Sequence, residues 1–347
     1  MIKRIISVLL VFVLAVSAFS FAVYSADEDA CDDTDSSAYD MGDIIANIKE
    51  TLCAVFKARR KVVRSFGSDD CKDGIYEAVL IADLHADGDP FRDRTYILRE
   101  ALAGMTATVG KVDALVLAGD ITNCGDIKEY INIRPKLSLF TRAKKILPEM
   151  GNHDSWHHSD DPDYAKARRN FMLFRASCGI FSREIYYSRS DCRCNYIVIN
   201  SENTVHEMAE ISDAQLEWLG QELDKATKSG KPTVVVCHQP LDGHNGGYRG
   251  WTEDGFAETS AKMEALLTEA AAASDAPILH VSGHRHRDFS ANSFEDAGDG
   301  LYYLNLPSFE YSYGNPGAVL RIAEDEITLQ GYYFGEERAA EELSVSL

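Results

Sequence analysis

The chain has 347 residues, 45% of them hydrophobic, a net charge of −20 and an isoelectric point near 4.9. That is enough apolar material for one large domain with appendages. The acidic balance excludes a nucleic-acid-binding surface, which needs a basic footprint, but not a small phosphate-containing substrate, because a bound metal can dominate the local field.

Lys3 and Arg4 precede an almost wholly apolar run from Ile5 to Val23, with small residues at Ala22, Ser25 and Ala26. Residues 1–25 therefore read as a secretory signal peptide; the run is also nearly long enough for an uncleaved anchor. Both readings place the remainder outside the cytoplasm, secreted or at the cell surface. The membrane is then touched only through that segment. Residues 26–70 comprise an acidic, disorder-prone stretch and a helix over 41–66 with Ile44, Ile48, Leu52 and Val55 on one face. Eight cysteines in an exported chain make disulfides possible without fixing their pairing, and Cys124 and Cys237 read as buried free thiols.

The main domain spans 71–335, and its first strand, Tyr76 to Ala82, runs into Asp83-Leu84-His85. A helix with Ile97, Leu98, Leu102 and Met105 on one side follows. Val112 to Ala118 is a buried strand ending in Gly119-Asp120. Residues 126–145 read as a helix interrupted at Pro135, and Ile146 to Met150 as a strand ending in Gly151-Asn152-His153-Asp154. A helix over 162–177 and two strand-like stretches, Ile185–Tyr187 and Tyr196–Ile199, come next. Ser212 and Gln215 then form a capping box, with Ile211 and Leu216 as a staple, at the start of another helix. Thr233 to Cys237 is a strand ending in His238, followed by a Gly-rich loop from Gly243 to Gly250. A helix near 259–273 leads to the strand Pro277–Val281 and Gly283-His284-Arg285-His286. β-type segments around Tyr302–Leu306, Ala318–Ile322 and Ile327–Tyr333 close the domain, and the acidic tail 336–347 is expected to fray. Alternating strands and helices with an antiparallel finish make an α/β class with mixed sheets.

Ligands of open α/β sheets sit at the carboxyl ends of strands, and five such ends carry Asp, Asn or His here. Taken singly each group has a plain structural explanation as a cap or a polar turn. Together they form a set of hard and borderline ligands, without a required thiolate, suited to Mn, Fe, Zn or Ni. Seven groups, Asp83, His85, Asp120, Asn152, His238, His284 and His286, are too many for one tetrahedral ion and fit two sharing a carboxylate.

The ordered series Asp83-x-His85, Gly119-Asp120, Gly151-Asn152-His153-Asp154, His238 and Gly283-His284-x-His286 resembles the calcineurin-like metallophosphoesterase superfamily over roughly residues 75–335. The resemblance implies a four-layer α/β/β/α sandwich of two mixed sheets flanked by helices. It implies that Asp83, His85 and His286 hold one ion, that Asn152, His238 and His284 hold the other, and that Asp120 bridges. His153 would be the catalytic histidine, oriented by Asp154. The activity implied is hydrolysis of a small phosphate ester by a hydroxide lying between two metals, with His153 assisting the leaving group. His85 and the Gly119-Asp120-Ile121-Thr122-Asn123 motif resemble the phosphodiesterase branch more than the purple acid phosphatases or the protein phosphatases. A phosphomonoesterase and an inactive cell-surface binding protein are the alternative readings. Asn123, Tyr248, Arg249 and Trp251 are candidate substrate contacts, the last three on the Gly-rich loop beyond His238.

Overall fold

The computed structural model describes residues 74–89, 93–155, 165–205, 208–247 and 257–347. The helix expected over 41–66 and the loop residues Tyr248, Arg249 and Trp251 lie outside these. In chain order the first elements are β1 (Tyr76–Ile81), α1 (Asp93–Val109), β2 (Ala114–Leu117), α2 (Ile127–Phe140), β3 (Lys145–Pro148) and α3 (Ala165–Ser177). Next come β4 (Tyr187–Ser190), β5 (Asn195–Val198), a small hairpin of β6 (Asn203–Val205) and β7 (Met208–Glu210), α4 (Asp213–Lys228) and β8 (Thr233–Val236). The chain finishes with α5 (Ala257–Ala272), β9 (Ile278–Ser282), β10 (Phe294–Gly298), β11 (Leu301–Asn305), β12 (Pro316–Ile322), β13 (Ile327–Tyr333) and β14 (Arg338–Ser346).

Two six-stranded sheets result, ordered β14-β13-β12-β1-β2-β3 and β10-β11-β9-β8-β5-β4. Both are mixed: β1, β2 and β3 are parallel while β12 meets β1 antiparallel, and β5, β8, β9 and β11 are parallel while β4 and β10 are antiparallel edges. Alternation along β1 explains the layering. Tyr76, Ala78 and Leu80 face the second sheet, with Val198, Val236 and Leu279 across the gap. Val79 and Ile81 face the other way, onto Leu102 of α1, Ile133 of α2 and Phe171 of α3. On the far side, Val235 and Ile278 pack against Leu219 of α4 and Leu267 of α5. Both faces of the central strands are therefore dry, which is why they read as continuous apolar runs. The expected four-layer sandwich is present. Among the described residues no helix is long and apolar enough to cross a membrane.

Several local expectations change. Pro135 lies inside α2 rather than breaking it. Its ring removes one backbone donor, but burial of Tyr130, Ile133, Leu137 and Phe140 along one face carries the helix through. Ile97, expected on the inner face of α1, is 49% exposed. The strand expected at Ile185–Tyr187 starts only at Tyr187, because β4 and β5 pair as a hairpin through Asp191–Cys194. Ser212 does cap α4, accepting from the Gln215 backbone at 3.2 Å, but Gln215 does not return the bond. Its side chain instead clasps Asn200 through both backbone groups, and Glu202 Oε2 accepts from Ser212 N. The tail from Glu336 does not fray. It becomes the edge strand β14, with Ala340 and Leu343 buried in the inter-sheet core. The pairing slips between Gln330 and Tyr332, and the Gln330 amide fills the slip by donating to the Ala340 and Leu343 carbonyls at 2.8 and 2.9 Å. Cys237 is a buried free thiol as expected, whereas Cys124 and Cys192 are disulfide-bonded.

Candidate metal centre

Parallel pairing of β1 with β2 extends past the strands: Asp83 N donates to Gly119 O at 3.1 Å and His85 N to Asp120 O at 2.9 Å. This side-by-side exit brings the first two motifs together. β8 and β9 do the same for the others, with Gly283 N donating to His238 O at 2.8 Å. The two sheets thus present their carboxyl ends to one another, and the loops meet between them.

One half of the centre consists of Asp83, His85, Asp120 and His286, whose ligand atoms lie within 4.8 Å of one another. His85 Nε2 is 3.0 Å from His286 Nε2, which is 3.1 Å from Asp83 Oδ1. In the other half, Asn152 Oδ1 sits 3.1 Å from His238 Nε2 and 3.0 Å from His284 Nδ1. Asp120 lies between the halves, its Oδ2 3.6 Å from His85 Nε2 and 3.2 Å from His238 Nε2. Asp83, His85, Asp120, Asn152 and His238 are all buried.

The backbone at this centre is unusual. Asp83, His85, Asp120, His284 and His286 all adopt left-handed conformations, with φ of 55°, 41°, 46°, 72° and 47°. Each costs roughly 1–3 kcal/mol and persists only where the surroundings enforce it. A turn whose sole task was to connect a strand to a helix would use glycine. Strain held at the residues that converge is what a functional centre predicts. Gly119 has a positive φ as well, 76°, and a Cβ there would stand 2.3 Å from His238 Nδ1.

The donor set fits cations. His238 Nδ1 faces Ala118 O at 2.9 Å and must donate to it, which turns the lone pair of Nε2 toward Asn152 Oδ1 and the Asp120 carboxylate. The atoms that meet there are mostly acceptors, with too few protons to pair them. Burial holds His85 and His284 down to about 3, so both rings are neutral and can ligate. Burial also pulls His238 down, but the Asp120 carboxylate outweighs it and pushes the ring up to about 10. A metal ion in the centre would take the place of that proton. Burial works to raise the Asp120 carboxyl too, yet His238 and His85 hold it well below the usual carboxylate range. Asp120 is thus anionic, held so by His238 and His85 on its two sides.

The sequence model of the calcineurin-like phosphoesterase family matches residues 77–288. The chain belongs to that family. A 3',5'-cyclic-nucleotide phosphodiesterase of Nostoc is 24% identical over 62% of this chain and 69% of its own length. A probable cyclic nucleotide phosphodiesterase of Rhodococcus erythropolis is 27% identical over 47% of this chain and 51% of its own. A glycerophosphodiester phosphodiesterase of Enterobacter lignolyticus is 29% identical over 37% of this chain and 42% of its own. The chain thus spans about half the length of several curated relatives it matches. Among solved structures, a dimetal phosphatase of Danio rerio superposes with a TM-score of 0.52 at 12% identity, covering 78% of this chain and 98% of that one. A purple acid phosphatase of yellow lupin gives 0.54 at 10% identity, over 78% and 53%. These two likenesses bear on the fold alone.

As a calcineurin-like phosphoesterase, the chain gathers all seven ligand candidates read from its motifs, but two other site residues do different work from that expected. Asp154 does not orient His153. Its carboxylate accepts from the Ile121, Thr122 and Gly151 backbones, the Thr122 hydroxyl and the Tyr130 hydroxyl, at 2.6–3.1 Å. It braces the Asp120 loop against the Asn152 loop, and burial together with Asp120 raises it to about 6. His153 instead places Nδ1 3.0 Å from Asn123 O, so the Asn123 contribution is a backbone one. The Asn123 amide lies toward Cys124 Sγ, at 3.5 Å. His153 N also donates to Asp120 Oδ1 at 2.8 Å, tying the histidine to the central carboxylate.

Sequence reading missed Glu149 and Tyr311. Glu149 Oε1 accepts from His238 N at 2.6 Å, and burial raises this carboxyl well above the usual range. A carboxylate at the end of a buried strand was the available sign. Tyr311 rings the mouth of the centre, 4.9 Å from His85 and 5.1 Å from His286 between ring centroids. It lies on a turn with no motif to mark it.

Proposed function

We propose that this chain is a metal-dependent hydrolase of phosphate esters that prefers small phosphodiesters. The observation that carries the reading is the convergence of Asp83, His85, Asp120 and His286 from three strand ends onto one spot. The diester preference draws support from the relatives, whose names are those of cyclic-nucleotide and glycerophosphodiester phosphodiesterases.

Asp83, His85 and His286 would hold one ion, Asn152, His238 and His284 the other, with Asp120 shared. Two such ions supply Lewis acidity at the phosphoryl oxygens and a water acidic enough, with a pKa of about 7, to act as nucleophile at neutral pH. The protein's own groups do the rest. Burial of Asp83, Asp120 and His238 keeps bulk water from competing with the charged contacts. Because His153 Nδ1 faces Asn123 O, its proton stays there and Nε2 is left to carry the mobile one. That nitrogen stabilises charge building on the phosphoryl oxygens and passes a proton to the departing alkoxide.

Purified protein should contain about two transition-metal ions per chain and hydrolyse a panel of diesters. Full metal content with no turnover of any ester would leave a binding protein. Turnover confined to monoesters would make it a phosphatase. His153→Ala should keep its metals yet lose ~10²–10⁴-fold in rate on diesters with poor leaving groups. A nitrophenyl ester, which needs less protonation, should lose less; an equal loss on both would reduce His153 to electrostatics alone.

We also propose export, either as a secreted protein or held at the cell surface by the N-terminal segment. The disulfides at Cys124 and Cys192 support it, since such bonds persist in oxidising compartments. N-terminal sequencing of protein from the native host should begin between Val23 and Asp27. An intact Met1 on cytosolic protein would overturn export.

A further inference from the structure

We infer that Tyr311 is a specificity-determining residue: an aromatic shelf at the metal centre that receives a planar ring, a nucleobase or an aryl group, carried by the substrate's phosphate. The inference rests on the phosphodiesterase reading above and names the substituent that the site selects.

Tyr311 is 48% exposed although it touches the centre itself. Its ring lies nearly parallel to that of His286, at 22° and 5.1 Å, and meets His85 edge-on at 4.9 Å. For comparison, His153 meets His85 at 4.6 Å and His286 meets it at 4.9 Å. Tyr311 is thus as near to His85 as the His286 imidazole is. A phosphoryl group seated over those imidazoles would carry its ester substituent past the tyrosine ring.

The shelf is rigid. Ser308 Oγ donates to Asp83 O at 3.1 Å and accepts from Tyr311 N at 3.0 Å. Phe309 N donates to Ala82 O at 2.9 Å and Glu310 N to Asp83 O at 3.3 Å. Ser312 N closes the turn on Ser308 O at 3.1 Å. These bonds tie the backbone of the tyrosine turn to the same loop that carries Asp83. A large, partly apolar ring held rigidly at the edge of a polar centre is suited to stacking, where every heteroaromatic offers a face. With a net charge of −20, the chain as a whole repels an extended polyanion, which disfavours a long charged tail on the substrate.

The test is calorimetric binding of two monoesters with the same phosphate head, adenosine 5'-monophosphate and glycerol 3-phosphate, to the metal-loaded protein. Metal content is measured in parallel. The wild type should prefer the nucleotide by about tenfold to a hundredfold, the size of one base stacked on an aromatic side chain. Tyr311→Ala and Tyr311→Leu should abolish the preference while leaving glycerol phosphate affinity and metal content unchanged; Tyr311→Phe should retain it. A wild type without the preference overturns the shelf, as does a Tyr311→Ala variant that keeps it. Equal weakening of both ligands, or loss of metal, would also overturn it, by making Tyr311 a prop for His286. A wild type that hydrolyses no ester would sink the phosphodiesterase reading alone, because binding still decides the shelf. Diester turnover without a nucleotide preference would sink the shelf alone.

Discussion

Asp120→Ala should empty both halves of the centre and lower phosphoester turnover by at least about 10³-fold, since the metals account for several kcal/mol of transition-state stabilisation and each 1.36 kcal/mol is tenfold. Asp120 Oδ2 lies 3.6 Å from His85 Nε2 and 3.2 Å from His238 Nε2, nearer to both than Asp83 Oδ1, which is 4.0 Å from each, and the other Asp120 oxygen accepts from the His153 backbone. Its loss would therefore remove the proposed shared ligand and the backbone tether of His153 together. His286→Ala is the useful comparison, because His286 touches only the half that holds Asp83 and is its most exposed member. That variant should weaken one ion and spare the other. Elemental analysis after dialysis reads both. If Asp120→Ala retains full metal content, Asp120 does not bridge.

Gly119→Ala should cost roughly 2–6 kcal/mol of stability, from enforced left-handed backbone and from overpacking together. The added methyl would fall 2.3 Å from Nδ1 of His238, and the ring cannot retreat without giving up its bond to Ala118 O. Gly243 provides the control. It too has a positive φ, 82°, but a Cβ there meets nothing within 4 Å among the described residues. Gly243→Ala should thus suffer the backbone strain without the collision and lose much less thermal stability. Equal falls in melting temperature for the two variants would show that the approach of His238 to Gly119 is not what demands glycine.

The centre was legible in the sequence because each ligand lies within a few residues of a buried strand. Apolar runs such as Val79–Ala82 and Val234–Cys237 mark those strands without homologous chains, and the polar residues that end them stand out. The sandwich was legible for the same reason, since alternating strands and helices admit few architectures. What the sequence hid was direction. Asp154 follows His153 directly, yet its side chain turns back to the Ile121–Thr122 backbone, and adjacency in the chain says nothing about that. Gln215 has the right spacing for a capping box, but Asn200, fifteen residues earlier in the chain, offers both a donor and an acceptor and wins the amide. In β14, acidic residues mask an inward pattern that becomes readable only once the slip opposite Gln330 is known. Tyr311 has no motif because its importance comes from tertiary contact alone.

Left-handed backbone at Asp83, His85, Asp120, His284 and His286 also limits how this centre could be retuned to a different ion. Asp and Asn tolerate that conformation better than most residues, so exchanging one for the other changes charge and ligand hardness while leaving the loop in place. Glutamate or cysteine, common ligands elsewhere, would add backbone strain at the same positions. Asn152 and His238 do not share the constraint, as neither has a positive φ. Laboratory evolution toward altered metal selectivity should therefore accumulate Asp-to-Asn exchanges at positions 83 and 120, and admit wider ligand chemistry first at 152 and 238.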